Sequence, residues 1–452
     1  MNLILLSGGS GKRLWPISND IRSKQFIKIF RTENGSHESM VQRVYRQIRN
    51  ANPDTSVTIA TSKTQASIIL NQLGGKVSLC VEPCRRDTFP AIALSAAYLH
   101  DVKGMHDDEV VVVCPVDPYV NDDYFEALND LALLAGTGEQ NLVLLGMAPS
   151  YPSEKYGYII PHNDHRLSSV KAFKEKPDAA AAAAYILQGA LWNGGVFAFR
   201  LKYVLEKAAE LLGFSDHTSL YANYAALRKV SFDYAVVEKE PNIKVMRFDG
   251  RWVDIGTWNT LTEAMEESSI GDVRLDSNCQ NVHVINELSI PILCMGLKNL
   301  VVSAGSEGIL VSDKAQSSYI KPFVERIVQQ IMFAEKSWGS FRVLDVNRGS
   351  LTIKVTLQPG HRMHYHSHLH RSEVWTVVSG TGHAVVEGKA RCIVPGDVVS
   401  LPPGSRHTVF ADTELQIIEV QIGEGIHVDD KVKHMDDFDE LKGQQGVRQG
   451  TV

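Results

Sequence analysis

Two stretches of this chain, and two isolated acids, concentrate the residue types that can do chemistry. The first stretch is Leu6-Ser7-Gly8-Gly9-Ser10-Gly11-Lys12-Arg13, with Ser23-Lys24-Gln25-Phe26 ten residues further on. Glycines in such a turn let backbone N–H groups approach phosphate oxygens, and the cations beside them can neutralise phosphate charge. Neither familiar phosphate loop fits. A G-x-x-x-x-G-K-[ST] loop fails because Leu6 stands at its first glycine and Arg13 follows Lys12; G-x-G-x-x-G read from Gly9 lacks its third glycine. Asp117, in CPVDPYV, and Asp254, in RWVDIGTW, are candidate carboxylates for the Mg²⁺ that phosphoryl chemistry calls for. The second stretch runs from Gly360 to Glu373 and contains His361, His364, His366, His368 and His370. On a strand, His366 and His368 point to one face; His364 and His370 share their parity and are expected to face inward as well, whereas His361 is not.

These residues need a framework. Up to about residue 265, short apolar runs alternate with helical patterns, as in stacked βα units. Strands are expected at Leu3–Leu6, Val57–Ala60, Val110–Cys114 and Asn141–Gly146. The third is apolar throughout, as strands covered on both faces of a mostly parallel sheet are. Asp117 lies just past its C-terminal end, where open α/β sheets build their sites. Helices are expected over Ser39–Asn50, Lys63–Leu73, Pro90–His100 and Tyr124–Ala135, and over Asp178–Gln188 with Asp178 as N-cap. From about Ser268, short β-type runs recur at roughly ten-residue spacing, as in a partial solenoid. A helical pattern follows at Lys321–Lys336. From Trp338 the chain is rich in short strands and Gly/Pro turns, as in a small barrel.

The run G-G-S-G-K-R-L-W-P with S-K-Q-F behind it resembles the signature of sugar-1-phosphate nucleotidyltransferases, above all mannose-1-phosphate guanylyltransferases. Further segments follow in that family's order: E-P-C-R-R-D-T-F-P (82–90), Y-G-Y-I (156–159), F-K-E-K-P (173–177) and W-N-G-G-V-F (192–197). The resemblance implies a Rossmann-like α/β domain with a mixed, mostly parallel sheet. It implies Arg13 and Lys24 as catalytic cations on the phosphates. Leu6, Gly8, Gly9, Ser10, Gly11, Lys12, Glu82, Arg86, Asp87 and Thr88 would line the nucleotide. Gly157, Glu175, Lys176 and Asn193 would hold the sugar, and Asp117 and Asp254 the Mg²⁺. This chain has Pro118 where the family usually has His, and Asp87 where it commonly has Asn. Asp233, in S-F-D-Y-A, reads as a helix cap as readily as a sugar contact.

The histidine stretch resembles the cupins. Gly360, His366, His368, Glu373 and Gly380 meet the first cupin motif, and Gly396, Pro402, Gly404 and His407 the second. Three imidazoles and one carboxylate (His366, His368, His407 and Glu373) suit Zn²⁺, Fe²⁺, Mn²⁺ or Ni²⁺. The run H-R-S-E-V-W-T-V-V-S-G (370–380) is similar to type II phosphomannose isomerases, with Arg371 a candidate phosphate or enediolate partner. The implied organisation is a nucleotidyltransferase domain over 1–267, a short β-rich linker over 268–336, a β-barrel cupin over 337–430 and a flexible tail over 431–452.

The implied activity is the transfer of GMP from GTP to mannose 1-phosphate, giving GDP-mannose and pyrophosphate, beside isomerisation of mannose 6-phosphate and fructose 6-phosphate. A different sugar 1-phosphate, such as a manno-heptose, with a non-catalytic cupin is one alternative; a non-catalytic nucleotide-sugar sensor is another. The bulk properties agree with a globular enzyme. The 452 residues are 44% hydrophobic and 22% charged, with a net charge of −6 that speaks against a nucleic-acid partner. The N-terminal apolar run is too short for a signal peptide, and no run is long enough for a membrane span. The six cysteines show no C-x-x-C spacing. A cytoplasmic setting is expected, and a homodimer, since cupins often pair.

Overall fold

The computed structural model describes residues 1–9, 12–328, 330–424, 426 and 430–434. It divides into two compact units: Met1–Ser303 with Leu310–Arg326, and Ala304–Ile309 with the chain from Ile327 onward.

The first unit is built on a nine-stranded mixed sheet. In spatial order its strands are Ser78–Glu82, Ser56–Ser62, Asn2–Ser7, Val110–Pro115, Leu191–Arg200, Leu142–Met147, Ile243–Phe248, Leu167–Lys174 and Gly157–Pro161. Pairing is parallel across the first four strands and between Leu142–Met147 and Ile243–Phe248. Leu191–Arg200 runs antiparallel to both neighbours. Burial on both faces explains the unbroken apolar strands: Val111, Val112 and Val113 are fully buried, with Val112 in one core cluster and its two neighbours in another.

The helices follow their sequence signals closely. Met40–Ala51 opens with a capping box between Ser39 and Gln42, and Ala179–Leu187 is capped by Asp178, which accepts a hydrogen bond from Ala181 N at 2.8 Å. Such a cap contributes about 1 kcal/mol, and in this Ala-rich helix, which buries only Ala182 among its residues, cap and propensity matter more than packing. Thr88–Asp101 is the opposite case, with ten buried residues from Phe89 to Leu99. Pro90 sits in its first turn, where no intrahelical donor is lost.

Beyond residue 268 the short strands Ser269–Ile270 and His283–Asn286 pair parallel, as do Val273–Leu275 and Ile292–Cys294. Parallel pairing of strands so close in sequence is the geometry of a solenoid turn. The helix expected over Lys321–Lys336 is confined to Lys321–Val324, and Phe333–Lys336 is a strand instead. There Ala334 and Glu335 are buried against the hairpin partner Gly339–Asn347, and tertiary pairing overrides local propensity.

The second unit is an antiparallel barrel of two sheets. Six strands run in the order Phe333–Lys336, Gly339–Asn347, Ser350–Leu357, Leu415–Gly423, Arg371–Ser379, Val398–Leu401. Five run in the order Lys389–Ile393, Gly382–Val386, His407–Ala411, His366–His368, Lys431–Lys433. Trp375, Leu357, Ile393, Val409 and Leu415 fill the space between them. Lys431–Lys433 forms an edge strand paired with His366–His368, although the sequence reads as tail from residue 431. Two lysines around a single valine carry no strand signal, and only the partner strand specifies them. Among the described residues no helix is long and apolar enough to cross a membrane.

Candidate active site

Asp117 follows Val110–Pro115, the strand paired parallel to Asn2–Ser7, so it emerges at the same end of the sheet as the glycine loop. The short strand Trp252–Asp254 pairs antiparallel with Pro118–Val120 and sets Asp254 opposite Pro118. Two carboxylates 137 residues apart in sequence (254 − 117) are thereby brought side by side. Lys24 Nζ lies 2.9 Å from Asp117 Oδ2 and 2.9 Å from Asp254 Oδ1. Burial alone would lower the pKa of Lys24, but the two carboxylates outweigh it and hold the ammonium well above the ordinary lysine value. Lys24 therefore stays charged at any pH at which the enzyme works.

The neighbours of Lys24 shape the loop. Gln25 Nε2 donates to Gly8 O at 3.3 Å and to Ser7 Oγ at 3.2 Å, and Ser23 Oγ donates to Gly9 O at 3.0 Å. Arg85 donates to Gly9 O from the opposite side at 3.0 Å. A loop whose carbonyls are tied back presents its amide edge to the other side. Gly9 has φ +108°, which L side chains rarely adopt. Ser10 and Gly11 lie outside the described residues.

Two compartments meet at this loop. One, of about 450 Å³, is lined by Gly8, Gly9, Lys12, Arg13, Lys24, Asp117, Tyr156, Asn193, Trp252 and Asp254, among others. The other, of about 380 Å³, is lined by Leu6, Gly8, Gly9, Glu82, Arg85, Asp87, Thr88 and Lys229, among others. Gly8 and Gly9 belong to both. Asp87 takes φ +72° and caps the Thr88–Asp101 helix by accepting from Thr88 N at 2.9 Å. Arg86 does not line either compartment; its guanidinium donates to the carbonyls of Tyr224 and Ala225. Of the two adjacent arginines, the one facing this space is Arg85, where it joins Lys229.

The residues expected to hold the sugar also converge. Strand Gly157–Pro161 pairs with both Leu167–Lys174 and Leu191–Arg200, and Asn193 lies opposite Gly157. A Cβ on Gly157 would collide with the Glu175 carboxylate and come within 2.9 Å of Phe173 Cζ. Glu175 is ion-paired with Lys176, whose φ is +44°. Asn193 Nδ2 donates to Asp233 Oδ1 at 2.6 Å. Of the two readings left open for Asp233, the cap is not the one seen: Ser231 caps that helix, and burial pushes the Asp233 carboxyl up to about 6, against the Asn193 bond and with Glu175 adding to the rise. Gly157→Ala is expected to displace Glu175 without unfolding the chain. Sugar-phosphate KM should rise roughly tenfold, the equivalent of one lost charge-assisted hydrogen bond. Steady-state kinetics with each substrate varied checks this; an unchanged sugar KM would remove Glu175 from the sugar pocket.

Sequence reasoning did not single out Arg85, Trp252 or Lys321 as lining this cleft. Trp252 stood only two residues from Asp254, a usable signal. Lys321 had none, because it comes from past the solenoid strands.

In the barrel, His366, His368 and His407 gather their nitrogens within 4.8 Å of one another, all buried. His366 sits opposite His407 in the antiparallel pair of their strands. Each ring's Nδ1 bonds to a backbone carbonyl: His366 to His364 O at 2.6 Å, His368 to Asp430 O at 3.0 Å, His407 to Ser405 O at 2.9 Å. Those bonds fix the proton on Nδ1 and leave every Nε2 with a lone pair, the tautomer a metal needs. Burial holds His366 and His368 well below the usual imidazole pKa, so protons do not compete for those lone pairs at neutral pH. His407 Nε2 is buried with no hydrogen-bond partner among the described residues. Glu373 lies 3.2 Å from His368 Nε2 and 3.4 Å from His407 Nε2. An orphaned imidazole nitrogen beside a buried carboxylate is a donor set that fits a divalent transition metal.

Arg371 is placed differently from its sequence reading. It is buried, and its guanidinium donates to Glu373 Oε1 and His368 Nε2, each at 3.0 Å. Here it occupies the lone pair of His368 Nε2 and one Glu373 oxygen, two atoms that a metal would otherwise take, rather than presenting a free cation. His364 and His370 are exposed, against the inward orientation that their parity suggested. The strand covers only His366–His368, and alternation does not extend past its ends.

Comparison with known proteins agrees with both halves. Residues 2–269 match the nucleotidyl transferase family and residues 325–437 the mannose-6-phosphate isomerase C-terminal family. The xanthan biosynthesis protein XanB of Xanthomonas campestris pv. campestris (strain B100) is 30% identical over 474 residues, covering 96% of this chain and 98% of that protein. A mannose-1-phosphate guanylyltransferase of Salmonella montevideo is 28% identical over 479 residues, covering 96% and 98%. Among solved structures, one described as a mannose-1-phosphate geranyltransferase from Thermus thermophilus superposes with a TM-score of 0.61 at 28% identity, covering 72% of this chain and 98% of that one. This chain belongs to the nucleotidyl transferase family, and carries behind that domain one of the mannose-6-phosphate isomerase C-terminal type.

Proposed function

We propose that this enzyme transfers GMP from GTP to mannose 1-phosphate, releasing pyrophosphate, and that its barrel interconverts mannose 6-phosphate and fructose 6-phosphate. The observation that carries the first half is the junction of two compartments at Gly8–Gly9, with Lys24, Asp117 and Asp254 clustered on the sugar side. The reaction joins a sugar phosphate oxygen to the α-phosphorus, so nucleotide and sugar must flank one phosphate-holding element. Little covalent chemistry is asked of the protein; positioning and charge neutralisation supply the rate. Arg13 and Lys12 line the cleft where the triphosphate's charge would lie, and Lys24 would sit beside the reacting phosphates. Asp117 and Asp254 converge on one point and suit a Mg²⁺, which takes one or two carboxylates and leaves its other positions to phosphate and water. Bound there, Mg²⁺ would neutralise charge that develops during transfer.

In the barrel, His366, His368, His407 and Glu373 would hold a Zn, Mn, Fe or Ni ion that polarises the sugar carbonyl while a proton moves between C1 and C2. The six unpaired cysteines support a reducing, cytoplasmic setting. A matrix of nucleoside triphosphates against sugar 1-phosphates, run beside an isomerase assay, tests the whole reading. GDP-mannose from GTP and mannose 1-phosphate is the expected dominant product. Preference for another sugar 1-phosphate, a manno-heptose among them, would replace the substrate but keep the reaction class.

A further inference from the structure

The strand Lys431–Lys433 is not used by either activity as described so far. It pairs antiparallel with His366–His368 in a defined register: His366 opposite Lys433, Ser367 opposite Val432, His368 opposite Lys431. Directly opposed residues of an antiparallel pair project to the same face. His366 and His368 project into the barrel, where they meet His407. Lys431 and Lys433 therefore project to that same interior face, one beside each metal-ligand histidine. The alternate residues confirm the parity, since Ser367 Oγ bonds to His434 Nε2 at 2.8 Å, away from the ligand cluster.

We propose that Lys431 and Lys433 form the anion subsite of the barrel, receiving the phosphate group of a sugar phosphate whose other end reaches the histidine-held metal. This rests on the isomerase reading of the barrel for its substrate, but not for its anion. Both lysines are exposed, so a ligand can reach them. The charge balance around them favours an anion. Arg371 is already paired with Glu373. Lys433 lies close enough to repel both Lys431 and Lys336. A phosphate dianion accepts from several ammonium donors at once. A neutral sugar gains nothing from them.

The test uses the full chain with its barrel metal-loaded and its transferase cleft filled with GDP-mannose. Binding of mannose 6-phosphate and of mannose is measured by titration calorimetry for wild type, Lys431→Met with Lys433→Met, and Lys431→Arg with Lys433→Arg. Metal content and thermal midpoint are recorded for each. The Met pair is expected to lose roughly tenfold or more in affinity for the sugar phosphate, as for lost charge-assisted hydrogen bonds. It should be unchanged for mannose, and the Arg pair should keep most of the affinity. Equal sugar-phosphate binding by the wild type and the Met pair overturns the proposal. If the Met pair fails to fold or load metal, Lys433→Met alone, at an exposed position, decides between the same two outcomes. A wild type that binds mannose 6-phosphate through these lysines but never isomerises it would sink the isomerase reading and leave the anion subsite standing.

Discussion

Replacing Asp254 with asparagine is expected to reduce nucleotidyl transfer by at least about a hundredfold, the scale on which loss of one electrostatic contact at a phosphoryl or acyl centre is felt. The reason is local. Asp254 and Asp117 share Lys24, each at 2.9 Å, and together offer the carboxylate pair a Mg²⁺ would use. Asparagine keeps the shape and one acceptor for Lys24 but removes a unit of negative charge, so the remaining site is a poorer ligand for a dication. Folding should not suffer. The Asp254 side chain is 35% accessible to solvent, and its removal strands no buried charge because Lys24 retains Asp117. Initial rates with GTP, mannose 1-phosphate and Mg²⁺, taken beside a thermal melt, read both halves of the prediction. A variant that melts normally and still turns over at the wild-type rate would remove Asp254 from the metal site.

The second large effect belongs to the barrel. His368→Ala with His407→Ala removes two of four converging donors. Loss of a mere outer-shell partner costs roughly 10–100-fold in metal affinity, so losing two direct ligands should exceed that. Elemental analysis after dialysis is expected to show one metal per wild-type chain and almost none in the double variant, with isomerase activity lost in step. Guanylyl transfer, measured in the same samples, reads whether the two units depend on each other. Metal retained at full stoichiometry would show that these histidines are not its ligands. The neutral rings also predict a pH dependence. His366 and His368 are held below the usual imidazole pKa by burial, so metal should stay bound as pH falls through the range in which an ordinary histidine takes up its proton.

Much of both sites was legible in the chain before folding. The glycine loop, Lys24 and the four candidate barrel ligands were readable because each lies in a dense local run, and Asp117 and Asp254 because they match the metal aspartates of the resembled family. Strand and helix periodicity put those runs at element ends. Where reading failed, the cause was a contact made across the chain. Arg85 and Arg86 are adjacent and chemically alike; the carbonyls of residues 224 and 225 take up Arg86 and leave Arg85 to face the cleft. Asp233 was left open between a cap and a sugar contact because its partner, Asn193, is 40 residues away. Phe333–Lys336 read as helix because its four residues have no alternation strong enough to outweigh their surroundings; the hairpin with Gly339–Asn347 makes it a strand.

By itself, then, the sequence determined the chemistry available to this protein: phosphate-holding glycines with cations behind them, a pair of acids, and three imidazoles with a carboxylate. These depend on residue type and short spacing, which folding does not change. Only the tertiary structure decided which charges meet. Lys24 bridging two aspartates 137 residues apart (254 − 117) follows from a two-stranded ribbon. Lysines 431 and 433 beside the barrel histidines follow from an edge strand with no signal of its own. Electrostatic energy depends on distance through space rather than along the chain, and such distances are set by sheet register.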